Sequence, residues 1–277
     1  MIDGKVKPVT LAAYRRHWCW LLLWLADRGR VPCLASVTVP ALLCCFEDIY
    51  EAGYAYATPN TIRSAVALAC RRAVLPPPYP TDHPSVKAAL LGYKRRAAHR
   101  STRRLPIRKA MLPHLLATAK KICPAEWWPQ VHAAYRLGYD LLLRSGEILP
   151  MLGGQVECRP IGVSVYVPVS KTDQLGRGIW LFSHDQVLCG LLQQLGADCL
   201  PQSPLFTVPA LRRFLNQIIV YASSTGGWPP GKYSFHSLRH GHATDAFAAT
   251  RNIEHVMHIG RWSTRAAARW YLHEIVC

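Results

Sequence analysis

The second half of the chain holds four short polar stretches whose residue types are suited to chemistry on a phosphate group. In LLLRSGEI, Arg144 leaves a very apolar helix, and Glu147 follows three residues later, where it can orient the guanidinium. In SKTD, Lys171 stands beside a predicted hairpin turn, and in HSLRHGH, His236 and Arg239 share one helical face at i, i+3. Taken singly, each stretch also has a structural explanation, such as a salt bridge at the edge of the core or a polar turn.

The fourth stretch, HIGRWSTRAAARWY, ends in Tyr271. Its pattern predicts a short final helix that Ser263 caps, with Trp262 in the turn before it. Three arginines lie along the stretch: Arg261, Arg265 and Arg269. Like charges four residues apart repel by about 0.2–0.5 kcal/mol, and an anion lying alongside would remove that repulsion. The alternative is a solvated basic face that Tyr271 anchors to the core.

Together these residue types suit one reaction, the attack of a tyrosine on a phosphodiester. A tyrosine is a poor nucleophile at its ordinary pKa of about 10, but arginines that bind the non-bridging oxygens stabilise the charge of the transition state. A lysine can protonate the departing 5′-oxygen, and a tryptophan can donate its indole N–H. The resulting phosphotyrosine conserves the bond energy for rejoining. No metal-ligand spacing is present, and we expect neither a metal nor another cofactor.

In the order LRSGE, SKTDQLGRG, HSLRHG and GRWSTRAAARWY, these stretches resemble the tyrosine recombinases, or λ-type integrases. The forms SKTDQ…GRG and GRWS…A…Y are most similar to the recombinases of DIRS-type retrotransposons and Cryptons. The resemblance implies six catalytic residues, supported by Glu147: Arg144, Lys171, His236, Arg239, Trp262 and Tyr271. In it, Lys171 is the general acid and His236 is the histidine of the H-x-x-R motif. Tyr271 is the nucleophile, nine residues after Trp262.

Apolar periodicity predicts helices throughout residues 1 to about 100. Thr10 and Thr38 are expected to cap two of them, and another begins at Thr58. In the second half, GVSVYVPVSKTDQLGRGIWLF alternates apolar residues and returns after a turn, which predicts a hairpin among helices. The fold class is mainly α with a small β-hairpin or sheet. We expect a helical core-binding domain over 1–104 and a mixed α+β catalytic domain of tyrosine-recombinase type over 105–277.

The charge balance points to a polyanionic partner. The chain has 33 Lys and Arg against 16 Asp and Glu, which gives a net charge of +17, and such an excess is typical of proteins that bind nucleic acid or an acidic membrane surface. The longest apolar run, WCWLLLWLA, is too short to span a bilayer, and MIDGKVKPVT lacks the apolar stretch of a signal peptide. We therefore expect no membrane association, and reduced, mostly buried cysteines.

A basic linker is predicted over about 93–109, where YKRRAAHRSTRRLPIRK has eight cations and no acid. Such a block tends to stay extended and to contact nucleic acid. A disordered linker or a nuclear-localisation signal are the alternatives. Candidate DNA-binding residues in and outside the linker are Arg63, Lys94, Arg95, Arg96, Arg103, Arg104, Arg261 and Arg265.

The function favoured by the sequence is a site-specific DNA recombinase or integrase that cleaves and rejoins DNA through a 3′-phosphotyrosyl intermediate. The resemblance implies double-stranded DNA as partner, with a dimer on each site and a tetramer in the synapse. A nuclear location follows for a eukaryotic mobile element, and a cytoplasmic or nucleoid location otherwise. Two alternatives stay open: nicking and resealing of the type IB topoisomerase kind, and a catalytically silent DNA-binding descendant of a mobile element.

Overall fold

A computed structural model describes residues 6, 8–97, 104–168 and 177–272, and the structural statements below refer to these ranges. The chain forms two compact units, Met1–Thr102 and Arg103–Cys277, and the boundary predicted from the sequence, 104/105, falls beside their division. Within the described ranges, no helix is both long enough and apolar enough to cross a membrane.

Within the described residues, the first unit contains four α-helices: α1 (Pro8–Asp27), α2 (Val39–Glu51), α3 (Ala57–Arg72) and α4 (Pro84–Arg96). Thr38 caps α2 as predicted, because its hydroxyl oxygen accepts a hydrogen bond from the amide of Ala41. The predicted cap at Thr10 is wrong, because α1 already begins at Pro8, a residue that suits a first turn since it has no N–H to satisfy.

Apolar side chains that recur every three or four residues form the core of this unit. Each helix contributes to it: Leu21, Leu25, Leu42, Phe46, Ile62, Val66, Val86 and Leu90 are all buried. At the edge of this core, the hydroxyl of Tyr93 donates to the carbonyl of Tyr54 at 2.7 Å. The amphipathic pattern of the sequence is thus used to bury one face of each helix.

The second unit contains eight helices and three strands within the described ranges: α5 (Leu112–Ile122), α6 (Trp128–Asp140), α7 (Ser145–Ile148), β1 (Val156–Arg159), β2 (Gly162–Val167), β3 (Ile179–Ser183), α8 (Gln186–Gly196), α9 (Leu211–Thr225), α10 (His236–Thr250), α11 (Ile253–Gly260) and α12 (Arg265–Arg269). The predicted fold class, mainly α with a small sheet, is confirmed.

The sheet is antiparallel in the order β1-β2-β3. Val165 at its centre pairs with Val156 on β1 and with Leu181 on β3. The β2–β3 hairpin was predicted from its alternation of apolar residues, whereas β1 was not, because VECR is too short and too polar to show one. The predicted hairpin residue Lys171 lies outside the described residues.

Helix α6 lies at the centre of the second unit and leads the chain to Arg144. Its residues Val131, Tyr135 and Leu137 are fully buried, and the hydroxyl of Tyr135 donates to the carbonyl of Leu215 in α9 at 2.8 Å. After α6, the left-handed backbone of Leu142 (φ 49°) ends the helical path. These buried contacts fix the position of α6 and so the point from which the next segment starts.

The two described ends of the predicted basic linker belong to different structural elements. Its first cations, Lys94 to Arg96, belong to α4 rather than to an extended segment. Residues 104–109, here called the strap, lie on the second unit: the amides of Leu105 and Ile107 donate to the carbonyls of Lys232 and Ser237 at 3.0 and 2.9 Å. A strap bonded in this way is part of the unit that carries α10.

The cysteines described by the structure lie in different environments. The buried ones are Cys45, Cys70, Cys123 and Cys189, whereas Cys19, Cys44 and Cys158 are exposed. The expectation that most cysteines are buried is therefore wrong, since four of the nine that the structure describes are buried.

Candidate active site

Arg144 stands at the start of α7, and Glu147 lies within this helix. Nη1 of Arg144 donates to Oε1 of Glu147 at 2.8 Å, and the Arg144 amide donates to Oε2 at 2.9 Å. The side chain of Glu147 is 5% exposed and that of Arg144 is 23% exposed. The carboxylate therefore fixes one edge of the guanidinium, and another part of the guanidinium stays accessible to a ligand.

A second arginine reaches the same carboxylate. Nη2 of Arg261 donates to Oε2 of Glu147 at 3.1 Å. Burial alone would raise the pKa of Glu147, but the guanidinium of Arg261, the amide and guanidinium of Arg144, and Arg239 together outweigh burial and hold this pKa below its ordinary value. Glu147 is therefore an anion that neutralises part of a cationic cluster.

His236 and Arg239 lie in the first turn of α10. The amide of Ser234 donates to the hydroxyl oxygen of Ser237 at 3.0 Å, whereas Phe235, the residue before the helix, makes no side-chain cap. The two functional side chains are on one face of the helix, as their spacing predicted.

Arg239 is almost fully buried, with 1% of its surface exposed. Its Nη2 donates to the carbonyl of Gly260 at 3.0 Å, and its Cζ lies 5.2 Å from the ring centroid of Trp262. Burial in the first place, and then the guanidiniums of Arg144 and Arg261, lower the pKa of Arg239. A bound anion would reverse this effect, so the site favours negative charge.

The turn Gly260–Trp262 connects these groups. Gly260 ends α11, and Arg261 has a left-handed backbone (φ 57°) that directs Trp262 back onto the site, where the Trp262 amide donates to the carbonyl of Met257 at 3.0 Å. A Cβ on Gly260 would lie 1.8 Å from the indole ring. Glycine is therefore required at this position for the observed placement of Trp262.

Helix α12 starts later and is shorter than predicted. Its cap is Thr264 rather than Ser263: the Thr264 side chain accepts from the amide of Ala267 at 3.2 Å. The helix ends at Arg269, so Tyr271 follows it instead of lying within it.

Tyr271 is held at its hydroxyl, at its ring and at its backbone. Its hydroxyl lies 3.0 Å from Nε2 of His236. Its ring stacks on that of His240 with centroids 4.6 Å apart, and the ring of Trp262 lies at 4.5 Å. Its carbonyl oxygen accepts from the hydroxyl of Thr244 at 3.4 Å. The phenol is thus placed next to both a titratable imidazole and the buried Arg239.

Several N–H groups beside Tyr271 are buried and have no acceptor within the described ranges, namely Nε and Nη1 of Arg239 and Nε1 of Trp262. A buried donor without an acceptor costs about 1–3 kcal/mol. The oxygens of a phosphate group are acceptors that would remove this cost. Glu147 bonds to Arg144 and Arg261 but not to Arg239, so one carboxylate faces three guanidiniums and the cluster has the donors and the excess positive charge to bind an anion.

The structure thus brings together all predicted catalytic residues that it describes: Arg144, His236, Arg239, Trp262 and Tyr271. It also adds residues that the sequence analysis missed. His240 and Thr244 contact Tyr271 from the same face of α10 as His236, and their i+4 and i+8 spacing from it was a usable signal.

The predicted DNA-binding residues are more scattered. Lys94, Arg95, Arg96 and Arg104 are exposed and Arg63 is half-buried, while Arg103 lies outside the described residues. Arg265 is exposed and donates to Glu254 at 2.6 Å. Arg261 differs from all of these, because its side chain is only 10% exposed and turns inward to Glu147. The alternative of a solvated basic face is therefore wrong for Arg261, and its predicted contact with DNA stays a prediction.

Comparison with known proteins gives the fold. No protein-family model and no curated protein sequence matches the chain. Among solved structures, the Tn1549 transposon integrase in complex with transposon right-end DNA is similar with a TM-score of 0.65 and 14% identity, covering 99% of this chain and 92% of the other.

Two further solved structures are similar over most of the chain. A lambda integrase dimer bound to a COC′ core site gives a TM-score of 0.64 at 17% identity, with 98% of this chain and 91% of the other covered. The XerH site-specific recombinase bound to palindromic difH substrate gives 0.59 at 15%, with 88% and 71% covered. The chain therefore has the tyrosine recombinase fold.

Proposed function

We propose that this protein is a site-specific DNA recombinase or integrase that cleaves and rejoins DNA through a 3′-phosphotyrosyl intermediate. One observation carries the proposal: the Tyr271 hydroxyl lies 3.0 Å from Nε2 of His236, and its ring lies 5.6 Å from the guanidinium carbon of the buried Arg239. A nucleophile, a proton acceptor and a phosphate-binding cation are thus adjacent, which is the combination that tyrosyl attack on a phosphodiester requires.

Each of the proposed catalytic residues has a separate role in the reaction. The Tyr271 oxygen attacks the phosphorus, its proton passes to His236, and the bond to the 5′-oxygen breaks. Arg144 and Arg239 bind the non-bridging oxygens as their charge grows, and the indole N–H of Trp262 supplies a further donor. Lys171 protonates the departing 5′-oxygen. Rejoining runs in reverse, with a 5′-hydroxyl attacking the phosphotyrosine and Tyr271 leaving.

Partner and assembly follow from the same proposal. Duplex DNA is the substrate, and we infer a dimer on each site and a tetramer in the synapse, supported by the similar lambda integrase, which is a dimer on its core site. The finer likeness to DIRS-type and Crypton recombinases rests on SKTDQ…GRG and GRWS…A…Y alone. If the protein comes from such a eukaryotic element, it acts in the nucleus; otherwise it acts in the cytoplasm or nucleoid.

A suicide substrate with a nick near the cleavage site tests the proposal. Cleavage releases a short fragment that carries the 5′-hydroxyl, and without this hydroxyl the covalent intermediate cannot rejoin. The wild-type chain should form a protein–DNA adduct that survives denaturing electrophoresis. Tyr271→Phe should bind the same DNA and form none. Tyr221→Phe is the matched control, since Tyr221 is 52% exposed on α9, and its adduct yield should equal that of the wild type.

The remaining outcomes identify the alternatives. A wild-type chain that binds DNA but forms no adduct would be a silent DNA-binding protein. A chain that forms the adduct as a monomer and relaxes supercoiled DNA, without joining two sites, would be a topoisomerase-like enzyme. Either result would overturn recombination as the function.

A further inference from the structure

Arg261 is the arginine of the final stretch that turns into the protein. Its side chain is 10% exposed, and its backbone is left-handed (φ 57°, ψ 43°), a conformation that an arginine seldom adopts. Strained backbone of this kind persists only where the surroundings hold it, and it is concentrated at functional sites. The conformation at Arg261 sends its guanidinium toward α7 instead of toward solvent.

We propose that Arg261 is a positioning residue that acts through Glu147 to hold Arg144 in its phosphate-binding orientation. This inference rests on the proposed function and deepens it, because it assigns the third arginine of the site a role distinct from contact with DNA.

The bonds on Glu147 support this role. Oε1 accepts from the Arg144 side chain, whereas Oε2 accepts from both the Arg144 amide and Nη2 of Arg261. Loss of Arg261 removes one of the two donors to Oε2 and a positive charge beside a buried carboxylate, so only the bonds from Arg144 itself would still hold the carboxylate in place. Arg144 takes its direction from that carboxylate, and its guanidinium would then sample more orientations.

Arg261 also fixes the chain before Arg144. Its Nη2 lies 3.4 Å from the carbonyl oxygen of Leu142, to which it donates, and Leu142 is itself in a left-handed conformation (φ 49°). One guanidinium therefore contacts the chain on both sides of Arg144, at Leu142 and at Glu147. Arg261 therefore supports the segment from Leu142 to Glu147, which carries Arg144.

The side chain of Arg261 is less accessible to a phosphate than that of Arg144. The Arg144 side chain is 23% exposed, whereas the Arg261 side chain is 10% exposed. Nε and Nη1 of Arg261 are buried and have no acceptor in the described parts of the chain, so direct contact with a phosphate is the competing role, and an experiment must distinguish the two.

Substitution by glycine gives a clean test, because glycine adopts the left-handed conformation without strain and the backbone of the turn is preserved. The chain offers a matched control in Arg251, which is also left-handed (φ 52°) at the end of a helix, α10, but is exposed. Arg251→Gly should change neither the cleavage rate nor the affinity for DNA.

Single-turnover cleavage of the suicide substrate is measured for Arg261→Gly, Arg144→Ala and the double variant, together with the Kd for the uncleaved DNA. Arg261→Gly should lower the maximal rate by about 10²-fold, the loss typical of a small misplacement in an active site, while Kd changes less than twofold. Arg261→Lys should recover part of the rate. The double variant should be no slower than Arg144→Ala, because Arg261 acts only through Arg144.

Each other result is decisive. Losses that multiply in the double variant, or a Kd raised together with the loss of rate, would show that Arg261 contacts the phosphate itself and would overturn the inference alone. A wild-type chain that forms no adduct would overturn the proposed function and, with it, this inference. Equal rates for Arg261→Gly and wild type would overturn the inference while leaving the proposed function intact.

Discussion

The hydroxyl of Tyr271 lies 3.0 Å from Nε2 of His236, although the two residues are 35 positions apart in the chain. The ring of His240 closes the other side of the phenol by stacking on it. The tyrosine is therefore next to a group that can take its proton.

His236→Gln tests the role of this contact. Glutamine can still hydrogen-bond to the phenol but cannot accept its proton, so cleavage should slow by about 10²-fold, the lower end of what proton transfer by a side chain contributes. Single-turnover rates on the suicide substrate measure the effect. His255→Gln is the control, since His255 is exposed on α11; an equal loss in both variants would exclude a specific role for His236.

Gly260→Ala should damage the site by steric means. The added Cβ would meet the ring of Trp262 at 1.8 Å, so the indole must leave its place against Tyr271. We expect a loss of about 1–3 kcal/mol in the free energy of unfolding and a large loss of cleavage. Gly190→Ala in α8 meets no atom within 4 Å and should instead stabilise the helix by about 0.5–1 kcal/mol. Denaturant titration of both variants checks the pair.

Asp245→Asn should loosen the strap from α10. The Asp245 carboxylate accepts from Nε of Arg108, from the amide of Lys109 at 2.8 Å and from the hydroxyl of Tyr139. Loss of its charge should lower the free energy of unfolding by about 2 kcal/mol, since hydrogen bonds to a charged group are among the stronger ones.

The control for Asp245 is Glu254→Gln, which removes the exposed ion pair with Arg265 and should cost less than about 1 kcal/mol. Hydrogen exchange at the amide of Ile107, which bonds to Ser237 in α10, should also accelerate in Asp245→Asn. Unchanged exchange there would mean that the backbone bonds alone hold the strap.

A half-buried pair of carboxyl groups makes stability depend on pH. Asp140 at the end of α6 lies against Asp185, which also accepts from Arg136. Burial, and then the hydrogen bond and charge of Asp185, raise the pKa of Asp140 to about 7. The folded chain therefore keeps a proton that the unfolded chain releases near pH 4, so stability is lost as the pH rises from about 4 to 7.

Asp140→Asn, which mimics the protonated form, should remove this dependence. Between pH 5 and 8 the wild type should lose about 1–2 kcal/mol of unfolding free energy relative to this variant, less than an isolated group would give because Asp185 titrates with it. Chemical denaturation at several pH values measures the difference. Asp198→Asn, at an exposed position, should follow the wild type at every pH; parallel curves for all three proteins would contradict the prediction.

Lys171 and Arg239 are both cations, but the proposed mechanism separates them. A substrate with a bridging 5′-sulfur has a leaving group that needs no proton. Lys171→Ala should be slow on ordinary DNA and regain most of about 10²–10⁴-fold on the sulfur substrate, because general acid catalysis supplies a factor of this size. Arg239→Ala should be slow on both substrates. Equal behaviour of the two variants would mean that another group, with His236 the first candidate, is the acid.

The sequence by itself predicted most of the helices and strands, and it supplied the candidate reactive residues. Periodicity predicted the helices of both units, the Thr38 cap and the β2–β3 hairpin, because these depend on residues close together in the chain. The residue types of the polar stretches also predicted a tyrosine that acts on a phosphate held by arginines, and this assignment stays a prediction.

Only the tertiary structure decided which way each arginine points. Nothing local distinguishes Arg261 from Arg265, yet a left-handed backbone turns the first onto Glu147, 114 residues away, and the second lies on the surface. In the same way, the burial of Arg239 depends on Gly260. The lack of a side chain at Gly260 leaves room for the ring of Trp262, and the Gly260 carbonyl accepts a hydrogen bond from Arg239. Side-chain direction depends on contacts between distant segments, and periodicity carries no information about those contacts.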